Sequence, residues 1–571
     1  MTCGTVAGTL ADAAAHAEAQ LTAHAPHLVT GYRAALGPAA DTVGRRLRGA
    51  LVREGLGDAR ARHAHRGSRH GFDRVEFAAA GVDDPADLLP DRLAGAGRRL
   101  AAELGNAVVN LAIATARRNH LPQQAGPVDK SRTGGPTGDP DADAIAWERL
   151  AITGHNLHPC GRTRIGWDVA DVLAHDLEAG ATRVGFVAVR RDAHCGDDLG
   201  DALSGAYPHL PPAPDGYLRQ PVHAWQRDTV LPARYPHLLR DGTLRVLDGD
   251  LPAVPTAALR TLLLPPAADG ARRYLKVSLD IQVTSTRRSI SVASTRNGPA
   301  VSALLHRLVA DDPDGHRLLL LAETAGAAVG VGSGRDLSAI LRDGLTGRLG
   351  PERVVPGGAL PATDPRTGRS VVAGLVAEFA RTRGRRDDAG AAAAFLDAYA
   401  RLLLPPLLRL TTRHGVALEA HLQNCLPTFV AGVPHRLAVR DFAGLRLHRA
   451  RLAAAGLRVP LWPGSVVGTD DAGTLRAKLG YTALQAHLGE LVVRLVESHG
   501  LDEDTAWRAV RAVVDETYEP LRADPRVRDA AHDDHAAFTA ARVPHKALVR
   551  MRLGGPGDTY VDVRNPLHAA A

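Results

Sequence analysis

Lys276–Pro299 reads KVSLDIQVTSTRRSISVASTRNGP. Val277, Leu279, Ile281 and Val283 alternate with Lys276, Ser278, Asp280, Gln282 and Thr284. That period of two, with its β-branched content, predicts a sheet strand with one apolar face and one face of charge and hydroxyls. After Thr284 the alternation fails at Ser285 and Arg287, and Asn297-Gly298 supplies a turn signal. In a straight strand Lys276 and Arg288 would stand about 40 Å apart. A site using both therefore needs a bend or bulge near Thr284–Arg288.

The lysine that opens this stretch is unusual for the chain. Only Lys130, Lys276, Lys478 and Lys546 are lysine among 69 basic residues. Arginine is no substitute where a compact, strongly hydrated point charge is required, so a lysine retained in ordered surroundings is informative. Solvent exposure alone would explain a polar strand face, but not this choice of cation.

Working outward, the 571 residues suffice for two to four domains, and 45% apolar with 23% charged residues is ordinary globular composition. No run of about 18 uncharged apolar residues predicts a membrane span. The N-terminus lacks the basic segment of a signal peptide, which makes the cytoplasm the expected location. The four cysteines (Cys3, Cys160, Cys195, Cys425) are scattered, giving neither a disulfide framework nor a zinc pattern. The histidine-rich run His63–His70 reads as a polar surface loop. A net charge of +7 would suit nucleic acid, but the basic residues are dispersed and aromatics are only 4%, too few for stacking platforms. Anionic small substrates are the better match to that charge.

Residues 1–120 read mostly as helix, and 122–143 as a Gly/Pro/Asp-rich linker. The loop WERLAITGHNLHPCGRTRIGWD (147–168) holds His155, His158, Arg162 and Arg164, a set suited to anionic oxygen. Thr182–Arg190 and Leu318–Ala322 read as strands, and Pro252–Leu264 as the partner of the opening strand. Gly326–Gly334 reads as a Gly-rich connector, Leu337–Leu345 as a short helix, and 351–370 as a boundary. Beyond Val371 the pattern is largely helical, with a break or helix start at Pro405-Pro406. Ala417–Pro427 reads as a buried helix, Pro434–Leu447 as strand-like, and Tyr481–His499 and Asp502–Leu521 as amphipathic helices.

Six motifs in order carry a family resemblance. They are Gly154-His155-x-x-His158-Pro159 leading to Arg164-x-Gly166; Arg260-Thr261; Lys276 through Thr284-Ser285 to Arg288; Glu419-Ala420-His421-x-Gln423-Asn424; Arg440-Asp441-x-x-Gly444; and Lys546 in KALVRMRL. From about residue 100 to 555 the chain resembles the IucA/IucC family of NRPS-independent siderophore synthetases. The resemblance implies an α+β fold shaped as a cupped hand: a helical thumb (1–140), a fingers domain with an antiparallel ATP-binding sheet (141–370) and a mixed, largely helical palm (371–571). It implies an ATP- and Mg²⁺-dependent ligase that activates a carboxylic acid, with citrate favoured, as an acyl-adenylate and joins it to an amine or hydroxyl. A citrate monoamide or another dicarboxylic acid, or a non-catalytic homologue, are the alternatives.

By the same resemblance, Arg260, Lys276, Thr284, Ser285, Arg288, Gln423, Asn424 and Asp441 would bind ATP. His158, Arg162, Arg164, Thr284 and His421 would bind the acid, with His158, Arg164, Arg288 and His421 catalytic. Glu419 and Asp441, hard oxygen donors, would hold magnesium. A cytoplasmic homodimer, with no nucleic-acid or membrane partner, is expected. Three positions depart from the family pattern: Ala258 for a serine, Arg162 for a lysine and Asn156 for a proline.

Overall fold

The computed structural model describes residues 9–63, 65–90, 95–120, 138–330, 334–555 and 557–569. The expected 122–143 linker, with Lys130, falls mainly outside them. The fold is α+β.

Near the N-terminus, helices Leu10–His24, Val29–Glu54 and Gly95–His120 pack together. Their apolar positions recur at helical spacing, and Tyr32, Leu47, Leu51, Leu100, Leu104 and Val108 form one buried stripe. Gly55, at φ +64°, ends the second helix in the left-handed region that glycine enters at no steric cost.

The middle of the chain builds an eight-stranded, fully antiparallel sheet. Its spatial order is His194–Gly196, Glu323–Val329, Ala339–Asp343, Arg273–Val277, Thr261–Leu263, Leu244–Pro255, Thr182–Arg190 and Tyr217–His223. Lys276 occupies a central strand, in register with Ile340 on one side and Thr261 on the other. The C-terminal region packs helices Val371–Thr382, Asp388–His414 and Glu503–Ala523 around a four-stranded sheet of Leu318–Leu320, Val433–Val439, Cys425–Val430 and Arg353–Val354. Among the described helices, Asp388–His414 has the length and apolarity of a membrane span, but most of its apolar stretch is buried in this core.

The opening stretch bends where its alternation fails. The sheet strand ends at Val277; Gln282–Val283 then pairs antiparallel with Thr286–Arg287 around Thr284-Ser285. Thr284 has φ +57°, and its amide donates to Thr163 Oγ1 at 2.7 Å. The reversal returns Arg288 beside Leu279–Ile281: Leu279 N donates to Arg288 O (3.1 Å) and Arg288 N to Ile281 O (2.8 Å).

Five local expectations are corrected. Ala417–Pro427 is no helix: Val416–Ala417 is strand, turns follow, and Cys425–Val430 is strand. Its polar groups divert the backbone, since Asn424 Nδ2 bonds Glu419 O while the Arg440 guanidinium takes Gln423 O. Leu337–Leu345 contains a strand, not a helix; Ala339, Ile340 and Leu341 are buried on both faces, which erases the period-two signal. The connector Gly326–Gly334 begins inside the strand Glu323–Val329, where Thr295 O leaves no room for a side chain at Gly326. Asn297-Gly298 lies within the helix Val292–Ala310, because Asn297 directs its amide to Ser465 Oγ and Trp462 N, fixing a distant loop rather than a turn. The helix Asp388–His414 runs unbroken through Pro405-Pro406.

Candidate active site

The sheet and the C-terminal core meet around Lys276. Its side chain is 1% exposed, so the strand's polar face is interior rather than solvated. Lys276 Nζ donates to Asp441 Oδ1 at 2.6 Å and stands 3.9 Å from Glu323, itself paired with Arg342 at 3.0 Å. Asp441 follows the strand Val433–Val439 and has φ +66°, a strained conformation for aspartate that turns its carboxylate toward the sheet. Burial opposes ionisation of Asp441, but Lys276, Arg342 and Arg260 outweigh it and hold the carboxyl well below its usual range. Lys276 shifts down from the ordinary lysine range because it is buried, with Asp441 and Glu323 resisting.

Arg260 projects from the turn before Thr261–Leu263, where its Nη1 donates to Ser289 O at 2.8 Å. Glu148 closes the same corner, accepting Ala257 N and pairing with Arg440. Arg288, returned by the reversal, has almost no protein partner: Nη2 is 3.5 Å from Thr284 Oγ1, and Nε is buried without one. Burial, then Arg260 and Arg164, push its guanidinium down to about 9.

Opposite lies the 418–424 turn. Glu419 Oε1 accepts from Lys478 Nζ at 3.0 Å. Burial pushes Glu419 up, but Lys478 and His421 bring it down to about 2. Gly444 is required here, because a Cβ would collide with Glu419 Oε2. Burial lowers the His421 imidazole, partly offset by Glu419 and Asp441, so it is neutral at pH 7.

The loop 153–164 supplies donors. His158 Nδ1 accepts from Cys160 N at 3.0 Å, which leaves its proton on Nε2, buried and unpartnered; burial and Arg552 lower its pKa to about 3. His155, left unassigned in sequence, likewise accepts Leu157 N and His158 N at Nδ1. Arg162 and Arg164 are buried and already compensated: Arg162 pairs with Asp176 (3.2 Å) and Glu178 (3.0 Å), Arg164 with Asp176 (2.8 Å). Asn156 ties the loop to the C-terminal core through Glu490 (3.0 Å) and Ala486 O (3.1 Å).

A cavity of about 790 Å³ joins these parts. Arg162, Arg164, Thr284, Arg288, Glu419, His421 and Gln423 line it; His158, Arg260, Lys276, Ser285, Asn424 and Asp441 stand outside its immediate lining. Cations outnumber carboxylates around Asp441, an arrangement for polyanionic oxygen. No group of three or more His, Cys, Asp or Glu able to hold a metal alone occurs among the described residues. Two ionised carboxylates beside an anion site instead fit a hard cation that completes its shell with phosphate and water. Lys478, Glu323 and Arg342 are members of this cluster that the motifs did not mark. Lys478 alone carried a signal, as one of four lysines.

Residues 143–362 match the IucA / IucC family, and 393–561 match the family described as ferric iron reductase FhuF-like transporter. The chain is 24% identical over 460 residues to the D-ornithine–citrate ligase of Staphylococcus aureus, covering 74% of this chain and 70% of that protein. Its fold superposes on the petrobactin biosynthesis protein AsbB of Bacillus anthracis with a TM-score of 0.76 at 19% identity, covering 95% of this chain and 98% of that one. The ATP-bound aerobactin synthetase IucA of Klebsiella pneumoniae gives 0.67 at 19% identity, covering 83% of each chain. At such identities the structural likeness speaks for the fold, and the sequence matches for descent. Over residues 143–362 the chain is of the IucA / IucC family.

Proposed function

We propose that the protein is an ATP-dependent ligase of siderophore biosynthesis that activates citrate and condenses it with an amine or hydroxyl. The observation that carries this reading is Arg288: a half-buried arginine nearly without protein partners, its Nε buried and unpartnered, placed by a chain reversal in one cavity with Glu419 and His421. A cation so placed calls for an anionic ligand. The related D-ornithine–citrate ligase, named for an acid and an amine, supports the reaction class.

In this reading a citrate carboxylate oxygen attacks the α-phosphorus of ATP, and the bond to pyrophosphate breaks. Arg260, Lys276 and Arg288 offset the meeting of two anions and stabilise charge on the phosphate oxygens. Thr284, Ser285, Gln423, Asn424 and Asp441 orient the nucleotide. His158, through its Nε2–H, and Arg162, Arg164, Thr284 and His421 position the acid. Glu419 and Asp441 would hold a magnesium ion, which when bound neutralises phosphate charge. The incoming amine then attacks the acyl carbon, the bond to AMP breaks, and neutral His421 accepts the proton released from nitrogen. The division into thumb (1–140), fingers (141–370) and palm (371–571) is retained, as are a cytoplasmic location and a homodimer. Light scattering on the purified chain checks the dimer.

The test is hydroxamate trapping with ATP, Mg²⁺ and hydroxylamine across citrate, 2-oxoglutarate and succinyl derivatives. Citrate-dependent hydroxamate is expected. No hydroxamate with any acid would overturn the ligase reading.

A further inference from the structure

The cavity does not end at the reacting groups. It continues to a wall built on the helix Val29–Glu54, where Thr42, Arg46, Gly49, Ala50 and Arg53 share one helical stripe. Gly49 and Ala50 stand between the two arginines; a Cβ on Gly49 would stand 2.9 Å from Val75 O, so glycine there lets the strand Arg74–Glu76 pack close against the helix.

The carboxylates of this wall are already engaged. Glu76 pairs with Arg74 (2.6 Å), and Glu490 with Arg74 (2.7 Å) and Arg494 (2.9 Å). Glu497 pairs with Arg494 (2.6 Å), and Glu54 accepts the amides of Val549 and Arg550. Arg46 and Arg53 are not so matched: among the described residues neither forms an ion pair. Arg46 Nη1 donates to Thr153 O at 2.6 Å. Arg53 is 7% exposed, its Nε is unpartnered, and its Nη1 faces His545 Nε2 at 3.3 Å. That imidazole is held neutral: Gln485 Nε2 donates to Pro544 O, so Gln485 Oε1 accepts from His545 Nδ1 at 2.6 Å. Burial holds both guanidiniums down to about 10, with Glu490 and Glu76 acting on Arg46, and Glu76 and Glu54 on Arg53, from a distance. Two cations without ion-pair partners, one of them deeply buried, offer an anion seat on this wall of the cavity.

We propose that Arg46 and Arg53 anchor a carboxylate carried by the incoming nucleophile, so that this chain condenses its activated acid with an amine of the amino-acid class rather than with a plain diamine or polyamine. The inference rests on the ligase reading above. A polyamine would place a second ammonium against these arginines, and the repulsion disfavours it.

Acceptor pairs that differ only in a carboxylate test this with the whole protein: ornithine against putrescine, lysine against cadaverine, and 2,3-diaminopropionate against ethane-1,2-diamine. Citrate, ATP and Mg²⁺ are supplied, and the condensed product is measured by mass. The carboxylate-bearing member of at least one pair should show a kcat/KM at least about tenfold higher. Arg53→Leu should raise KM for that acceptor far more than KM for citrate. Arg46→Gln, at a less buried position, should do the same if Arg53→Leu does not fold. Diamines used as well as their carboxylated partners, or a variant that raises KM for citrate instead, would overturn the assignment. Citrate-dependent hydroxamate formed with hydroxylamine separates the two failures: present while the carboxylate preference is absent, only the anchor falls; absent, the ligase reading falls and takes the anchor with it.

Discussion

Lys276 and Asp441 are 165 positions apart in sequence, yet Lys276 Nζ donates to Asp441 Oδ1 at 2.6 Å. That contact joins the large antiparallel sheet to the C-terminal core. Lys276→Met leaves Asp441 facing Arg342 at 3.8 Å and removes one cation of the proposed triphosphate site. Asp441 retains some exposure, so the stability cost should be about 2–3 kcal/mol, below that of a fully buried pair. Lys276→Arg should not restore activity, because the longer planar fork must fit a central strand between Thr261 and Ile340. Thermal melts and citrate-dependent pyrophosphate release check both, and wild-type turnover in Lys276→Arg would contradict the role.

Glu419 and Lys478 form the second pair, at 3.0 Å. Glu419→Gln should raise the magnesium concentration needed for half-maximal activity and lower turnover by about 10²-fold. Lys478→Met should instead let Glu419 titrate closer to an ordinary glutamate, with a smaller loss of rate. A magnesium titration of pyrophosphate release distinguishes the two. An unchanged magnesium requirement in Glu419→Gln would remove that residue from the metal.

Much of this site was legible as chemistry before it was legible as geometry. Lys276, Arg288, Glu419, His421 and Asp441 were marked by residue type and motif order, and the failed alternation at Ser285–Arg287 located the reversal. What sequence could not show was pairing. Arg162 and Arg164 read as free cations, but Asp176 and Glu178, more than ten residues on, compensate them. The polar run Glu419–Asn424 read as a helical face, because nothing local reveals that Arg440 takes the Gln423 carbonyl. Strand Ala339–Asp343 was misread because burial on both faces removes the alternation that identifies a strand.

Buried neutral histidines fix the direction of the pH dependence of stability. His158 and His223 are lowered to about 3, and His487 to about 4, chiefly by burial. With folded pKa values below the unfolded value near 6.5, the unfolded chain binds more protons between these limits, so stability falls as pH drops below 6.5. One such histidine contributes about 2 kcal/mol to the loss at pH 5. Depressed carboxylates, Glu419 and Asp176 at about 2, add a second loss as pH falls through the range from their unfolded values near 4 toward 2. Urea unfolding at pH 7, 6 and 5 should show a progressively lower midpoint; a flat profile would contradict the neutral burial of these imidazoles.

Arg288 carries the central claim. Its side chain is half-buried, with a buried, unpartnered Nε and one 3.5 Å contact, so it contributes little to the fold unless an anion fills the site. Arg288→Met should therefore leave the melting temperature equal to or above wild type while abolishing activity. The most direct measurement is citrate-dependent pyrophosphate release by wild type and Arg288→Met, each with its melting temperature. The expected result is release by the wild type and at least about 10²-fold less by an equally stable variant. Equal release by a folded Arg288→Met would contradict the account.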